Sequence, residues 1–274
     1  TIFTPFATHC MPFAAIYNNL VLFDQTKPRG TLETIVPDMA ESWSLDDTRT
    51  KLTFKLQQGA TWHDGKPFTA RDVQCTWHRL NGKEPDYFRK NPRKIWYANL
   101  KEVTVDNDHQ ATFHLNRPQA SFLALLASGL SPIYPCHADA KEMRTKPIGT
   151  GPFKFVEYTA NASIKLVRNP DYWKKGFPYL DGIEWKIISN RSTRVLAFAA
   201  GEFDLTFIGD ITVPLMQQVA SQAPKAICKL APTNVSANLI VNHQRPPFDD
   251  IKVRRAMVLA LDRQGFIDIL TQGK

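Results

Sequence analysis

The side chains with chemistry to offer are seven histidines, four cysteines and one arginine–tryptophan pair. The histidines are His9, His63, His78, His109, His114, His137 and His243, and no HExxH or other tight metal-ligand spacing links them. His63-Asp64 stands directly before Gly65, a setting that suits a turn better than a metal ligand. The cysteines Cys10, Cys75, Cys136 and Cys228 form no CxxC pair and carry no zinc signature. A Cys10–Cys228 bridge stays open for an oxidising compartment. Cys136-His137 puts a thiol beside an imidazole, the raw material of a cysteine hydrolase. Adjacent residues rarely aim at one substrate atom, and no third orienting group is indicated. Gly149-Thr150-Gly151 runs into Pro152 and a strand, which fits neither a dinucleotide loop nor a P-loop. No GxSxG elbow occurs. Catalysis has no local support, and neither a cofactor nor a metal is expected.

Arg93 and Trp96 carry more weight. They lie three residues apart after Pro92, so a helical turn places them on one face. A guanidinium beside an indole suits a ligand with a carboxylate or a flat π system. The plainer alternative is a surface arginine packed on a half-buried tryptophan.

The elements that must position these groups are legible from periodicity. The stretch 13–21 reads as a short helix running into a strand, and 24–31 is a polar loop. Leu52, Phe54 and Leu56 alternate with lysines and a threonine, a half-buried strand. Thr69 and Asp72 form a capping-box variant, and Val73, Trp77 and Leu80 predict a helix over 70–80. Hairpins are predicted over 103–115 and 153–166, the second turning near Asn161, with a further strand over 183–187. Helices are expected from Pro118 through Leu130, over 191–200 with Gly201 as its stop, over 214–222, and over 250–262 with Asp249 or Asp250 as cap. Strands are expected at Leu205–Ile208, Ile227–Leu230 and Ala237–Val241. Hairpins mixed with strand–helix alternation argue for an α/β protein with mixed sheets.

With 43% hydrophobic and 11% aromatic residues, the 274-residue chain has material for two cores. Its net charge of +8 is dispersed, so a solvated basic surface is expected and nucleic acid is not a partner. No apolar run reaches the ~20 residues of a membrane span. No signal segment precedes the folded sequence, and a trimmed secreted precursor reads the same way.

Six phrases, always in this order, carry a resemblance. They are Pro37-Asp38-Met39-Ala40-Glu41-Ser42-Trp43, then Trp62 through Val73, Gly149-Thr150-Gly151-Pro152-Phe153-Lys154-Phe155, Arg168-Asn169-Pro170-Asp171-Tyr172-Trp173, Pro246 through Arg254, and Ala256 through Arg263. Together they resemble the family 5 extracellular solute-binding proteins, the dipeptide, oligopeptide and nickel receptors of ABC importers. The resemblance implies a two-lobed type II periplasmic-binding fold that closes on a short peptide or similar small anionic solute and then docks on membrane permease subunits. A metal chelate or other non-peptide solute is the alternative, and a cysteine-dependent hydrolase the remote one. It implies a first-lobe core of 1–36 and 151–234, an accessory subdomain of 37–150, and a second lobe begun by 235–274. Family members are longer, so a fragment is expected, with a periplasmic or lipid-anchored location and no membrane contact beyond the permease or an anchor. The implied pocket includes Thr8, His9 and Cys10, then Arg93 and Trp96. Nickel receptors carry a second pocket arginine that falls near Ser131 here, so that charge is absent. Peptide receptors line the cleft near the crossover, here Thr233, Asn234 and Asn238.

Overall fold

The computed structural model describes residues 15–27, 29–83, 92–207, 209–228 and 239–271. It divides into two units, Thr1–Ile187 and Ile188–Lys274.

In the first unit, β1 (Val21–Phe23) pairs antiparallel with β2 (Ile35–Pro37). A four-stranded sheet follows, built from β3 (Ala40–Leu45), β4 (Lys51–Leu56), β5 (Leu100–Asn107) and β6 (Gln110–Leu115), in the order β3-β4-β6-β5. The alternation read in β4 sets its register: Leu52, Phe54 and Leu56 are buried, and Phe54 lies opposite Trp43 and Ala111. Helix α1 (Ala70–Asn81) covers this face, packing on β5 and β6 with Val73, Trp77 and Leu80 buried. Trp77 meets Phe113 edge-on at 4.8 Å and Tyr97 at 6.1 Å, so aromatic rings fill the space between helix and sheet. A third, three-stranded sheet comprises β7 (Phe153–Thr159), β8 (Ser163–Arg168) and β9 (Gly182–Lys186). Its first hairpin turns at Asn161, at φ 59, as the sequence predicts.

Helix α2 (Phe122–Ala127) is shorter than the helix expected from Pro118 to Leu130. Ser128 Oγ donates to Leu125 O at 2.6 Å and Ser131 Oγ donates to the same carbonyl at 2.6 Å. Serine hydroxyls that take the last carbonyls in this way replace the next helical turn.

One disulfide joins Cys75 of α1 to Cys136, with Cα atoms 5.6 Å apart across 61 positions of sequence. Asp72 positions it. One carboxylate oxygen accepts the Thr69 N–H at 3.0 Å, closing the capping box, and the other accepts the Cys136 N–H at 2.8 Å. Arg79, two turns along the same helix, donates to Pro135 O at 2.7 Å and Cys136 O at 2.8 Å. The Cys10–Cys228 bridge is not the pairing that forms: Cys228 is a free thiol, and Cys10 lies outside the described residues.

The second unit holds α3 (Arg191–Ala199), α4 (Val213–Gln222), α5 (Ile251–Ala260) and α6 (Arg263–Thr271). Asn190 Oδ1 caps α3 by accepting the Thr193 N–H at 3.0 Å, and Gly201 at φ 78 follows its end. Asp250 caps α5 by accepting the Lys252 N–H at 2.7 Å. Arg194 and Asp210 form an ion pair at 2.7 Å.

The strands expected at Leu205–Ile208, Ile227–Leu230 and Ala237–Val241 are not formed by their described residues, which are irregular, with Leu205 73% and Ile240 90% exposed. An apolar β-prone run becomes a strand only where a neighbour completes its ladder. Every strand pairing among the described residues is consequently antiparallel, where the strand–helix alternation predicted mixed sheets.

Candidate functional site

Pro92–Tyr97 is a 3₁₀ helix, and at three residues per turn Arg93 and Trp96 stack on one face, as their spacing predicts. The face is an inner one. Arg93 is buried and Trp96 packs half-buried on the aromatic core, while Ile95 between them is 75% exposed. Arg93 Nη1 donates to Leu130 O at 2.5 Å. Next to that carbonyl, the fully buried Ser131 hydroxyl lies 2.8 Å from Tyr97 Oη and donates to Leu125 O. Burial pushes the Tyr97 hydroxyl above its ordinary pKa, against the pull of the Ser131 hydrogen bond and the Arg93 charge.

The structure thus brings Arg93, Trp96 and Ser131 to one place, where the 3₁₀ helix meets the segment after α2. Ser131 fixes Tyr97 there. Thr8, His9, Cys10, Thr233, Asn234 and Asn238 lie outside the described residues.

A second constellation was not read as one from the sequence: the punctuating phrases bind each other. His63 Nδ1 accepts the Gly149 N–H at 3.2 Å, which leaves the ring proton on Nε2 to be donated to Gly151 O at 2.9 Å. Burial lowers the His63 pKa to about 4, so the ring stays neutral. Gly149 and Gly151 are glycines because Ile16 passes so close. A Cβ at Gly151 would stand 2.5 Å from the Ile16 carbonyl, and one at Gly149 closer still. Asn169 then donates from Nδ2 to Gly151 O at 3.2 Å and from its backbone to Pro152 O at 2.8 Å.

Behind these turns lies Asp38, with no exposed surface. Its carboxylate receives Lys174 Nζ at 2.8 Å, the Asn19 N–H at 3.0 Å and Asn18 Nδ2 at 3.1 Å. Asn18 Nδ2 also lies 3.2 Å from Tyr172 Oη, and Thr150 Oγ1 donates to Asn18 Oδ1 at 3.2 Å. Burial pushes the Asp38 carboxyl above the usual range, while Lys174 and the two asparagine donors hold it down. Removing one partner from such a network leaves a buried charge uncompensated. The signal available in sequence was that all these residues except Ile16, Asn18 and Asn19 fall inside or beside the quoted phrases.

His137 Nε2 bonds Asp64 Oδ2 at 2.8 Å, and Cys136 is spent in its disulfide. Cys136 is therefore not available as a nucleophile beside His137.

The first unit is thus a scaffold of antiparallel sheets and helices pinned by buried polar turns, with Arg93 and Trp96 on an inner face. Solved structures share it. The PBP/SBP MoaA from A. tumefaciens R10, in complex with mannopinic acid, superposes with a TM-score of 0.83 at 26% identity over 98% of this chain and 54% of that one. The periplasmic binding protein DppA from Helicobacter pylori, in complex with peptide STSA, gives 0.79 at 25% identity over 99% of this chain and 56% of that one. The fold class is therefore that of the type II periplasmic binding proteins. Residues 34–274 match the model of the bacterial extracellular solute-binding proteins, family 5 Middle, and the chain belongs to that family. Probable di/tripeptide-binding protein 5 of Pseudomonas aeruginosa is 28% identical over 279 residues, 94% of this chain and 51% of its own length. The chain spans about half the length of the curated relatives it matches. Among the described residues no helix is long and apolar enough to cross a membrane.

Proposed function

We propose that this protein is the solute receptor of an ABC importer, capturing a short peptide or similar small anionic solute reversibly outside the cytoplasmic membrane and delivering it to a membrane permease. The observation that carries this is the family match over 34–274. The fold agrees, and a disulfide between Cys75 and Cys136 suits an oxidising, extracytoplasmic compartment. Binding of this kind needs contacts that favour one conformation over another, not a nucleophile and base.

Arg93 is the residue proposed to meet an anionic group of the solute, with Trp96 beside it. The expected 1–36 and 151–234, 37–150 and 235–274 division into lobes belongs to the same proposal. A non-peptide solute is the second reading. Its support is the mannopinic acid held by the 26% identical A. tumefaciens protein, while the neutral Ser131, where nickel receptors carry an arginine, speaks against a nickel chelate.

The test is calorimetric titration of the intact protein with di- and tripeptides and with small carboxylated metabolites. Saturable binding without product formation is expected. Arg93→Ala should weaken it by at least ~1.5 kcal/mol, the scale of a charge-assisted contact. Urea unfolding of the same variant separates lost contact from lost fold, since Arg93 also donates to Leu130 O. An unchanged dissociation constant removes Arg93 from the site, and turnover of any titrant overturns the receptor reading.

A further inference from the structure

The four-stranded sheet is not fully covered by its helix. At the end where β3 and β4 turn, Trp43, Leu45, Leu52 and Leu115 continue the apolar face past α1, and Phe122 of α2 closes the far side. Between them lies a groove of about 400 Å3. Such a volume falls in the range of small-molecule sites, ~300–1,000 Å3. Leu45 on its wall is 51% exposed, so water meets an apolar surface there.

One charge lines this groove, and it is Arg49. The turn that carries it is held rigidly: Asp46 Oδ1 accepts the Thr50 N–H at 2.9 Å and the Lys51 N–H at 2.8 Å. Arg49 sits in the left-handed region at φ 56, which an arginine rarely adopts. Asp46 is used up within the turn, and among the described residues no hydrogen bond or ion pair holds the Arg49 guanidinium. The lining contains no carboxylate to oppose it. An apolar trough with a lone cation at its mouth complements a molecule with an apolar tail and one negative head.

We infer that this groove binds an amphipathic monocarboxylate, its tail on the accessible parts of Leu32, Trp43, Leu45 and Leu123 and its carboxylate on Arg49. None of the residues proposed for the transported solute lines it, so the inference stands apart from the receptor reading. A guanidinium pairs a carboxylate through two parallel N–H···O bonds, and a head group without charge forfeits them.

The experiment titrates hexanoate, octanoate and decanoate into this chain, below micellar concentrations, following tryptophan fluorescence and heat. Each added methylene that enters the groove should lower the dissociation constant about fourfold. Trp43→Phe should remove the fluorescence response and keep the heat. Arg49→Asn, which tolerates a positive φ, should weaken decanoate at least fivefold and leave decanol unchanged. A dissociation constant that does not change with chain length, an Arg49→Asn variant that binds decanoate like the wild type, or no saturable binding at all overturns the inference. The last of these outcomes would leave the groove to a protein side chain.

Discussion

His63 shows how a residue with catalytic credentials is used for structure. Its two ring nitrogens are both taken by the backbone of the glycine turn, one accepting from Gly149 and one donating to Gly151. Protonation would put a donor where Gly149 already donates. The folded ring therefore titrates at about 4, against 6.5 in an open chain. The unfolded chain takes up the proton first, so stability present above pH 6.5 is lost as pH falls from 6.5 towards 4. A gap of that size corresponds to about 3 kcal/mol, and partial exposure of the ring reduces it to about 2. Urea unfolding between pH 4 and 7.5 should show this loss. His63→Gln should lower stability at pH 7.5 and flatten the fall below pH 6.5. Equal slopes in the two proteins would show that the ring is not the titrating group.

At the scale of elements, helix α1 is the clearest case of sequence dictating structure, because its cap and its period were both written locally. The Thr69–Asp72 box and the Val73, Trp77, Leu80 stripe sufficed. What the helix does next was not legible. Four cysteines allow three complete pairings, and nothing local distinguishes them. Cys75 meets Cys136 because Asp72 and Arg79 reach from α1 to the backbone of 135–136, a contact across 56 to 64 positions. The described residues of the short strands expected after 200 are irregular for the complementary reason: their apolar runs were visible, their partners were not. In the chain-entropy account a bridge over 61 positions stabilises by up to ~4 kcal/mol, with strain reducing this to about 2–4. Cys75→Ala/Cys136→Ala should lose that amount in denaturant unfolding. Reductant should lower the wild type to the same midpoint and leave the double variant unmoved. A reductant effect of equal size on both proteins would mean that the bridge contributes nothing to stability.

For the molecule as a whole, burial is unevenly shared. The first unit contains a continuous cluster from Leu20 to Ile133, including Phe54, Trp62, Trp77 and Phe113, each no more than 1% exposed. In the second unit α5 has no buried residue, and Leu259 of that helix is 86% and Ile269 of α6 78% exposed. Helices draw most of their stability from tertiary packing of an apolar face, and a ten-residue helix is marginal without it. Position by position, the sequence predicted α5 well, over 250–262 with Asp249 or Asp250 as its cap, and Val253 and Met257 lie one turn apart along it. How much of that apolar stripe is covered is a property of the whole fold and could not be read from one segment. Local stability should follow burial. In native-state hydrogen exchange on this chain, amides of β4 and β6 should open only with global unfolding and depend steeply on urea. Amides of α5 should exchange through local opening at least 100-fold faster, equivalent to about 3 kcal/mol, with little urea dependence. Equal protection in the two units would mean that α5 unfolds with the core, and its exposed leucines would then need another source of stability. A bound solute adds RT ln(1 + [L]/Kd) to the protection of whatever it holds closed. Repeating the exchange with a saturating peptide therefore separates two outcomes. Slowing confined to residues around Arg93 and Tyr97 marks the first unit alone as the binding element, whereas slowing that extends to α5 means that the solute stabilises both units.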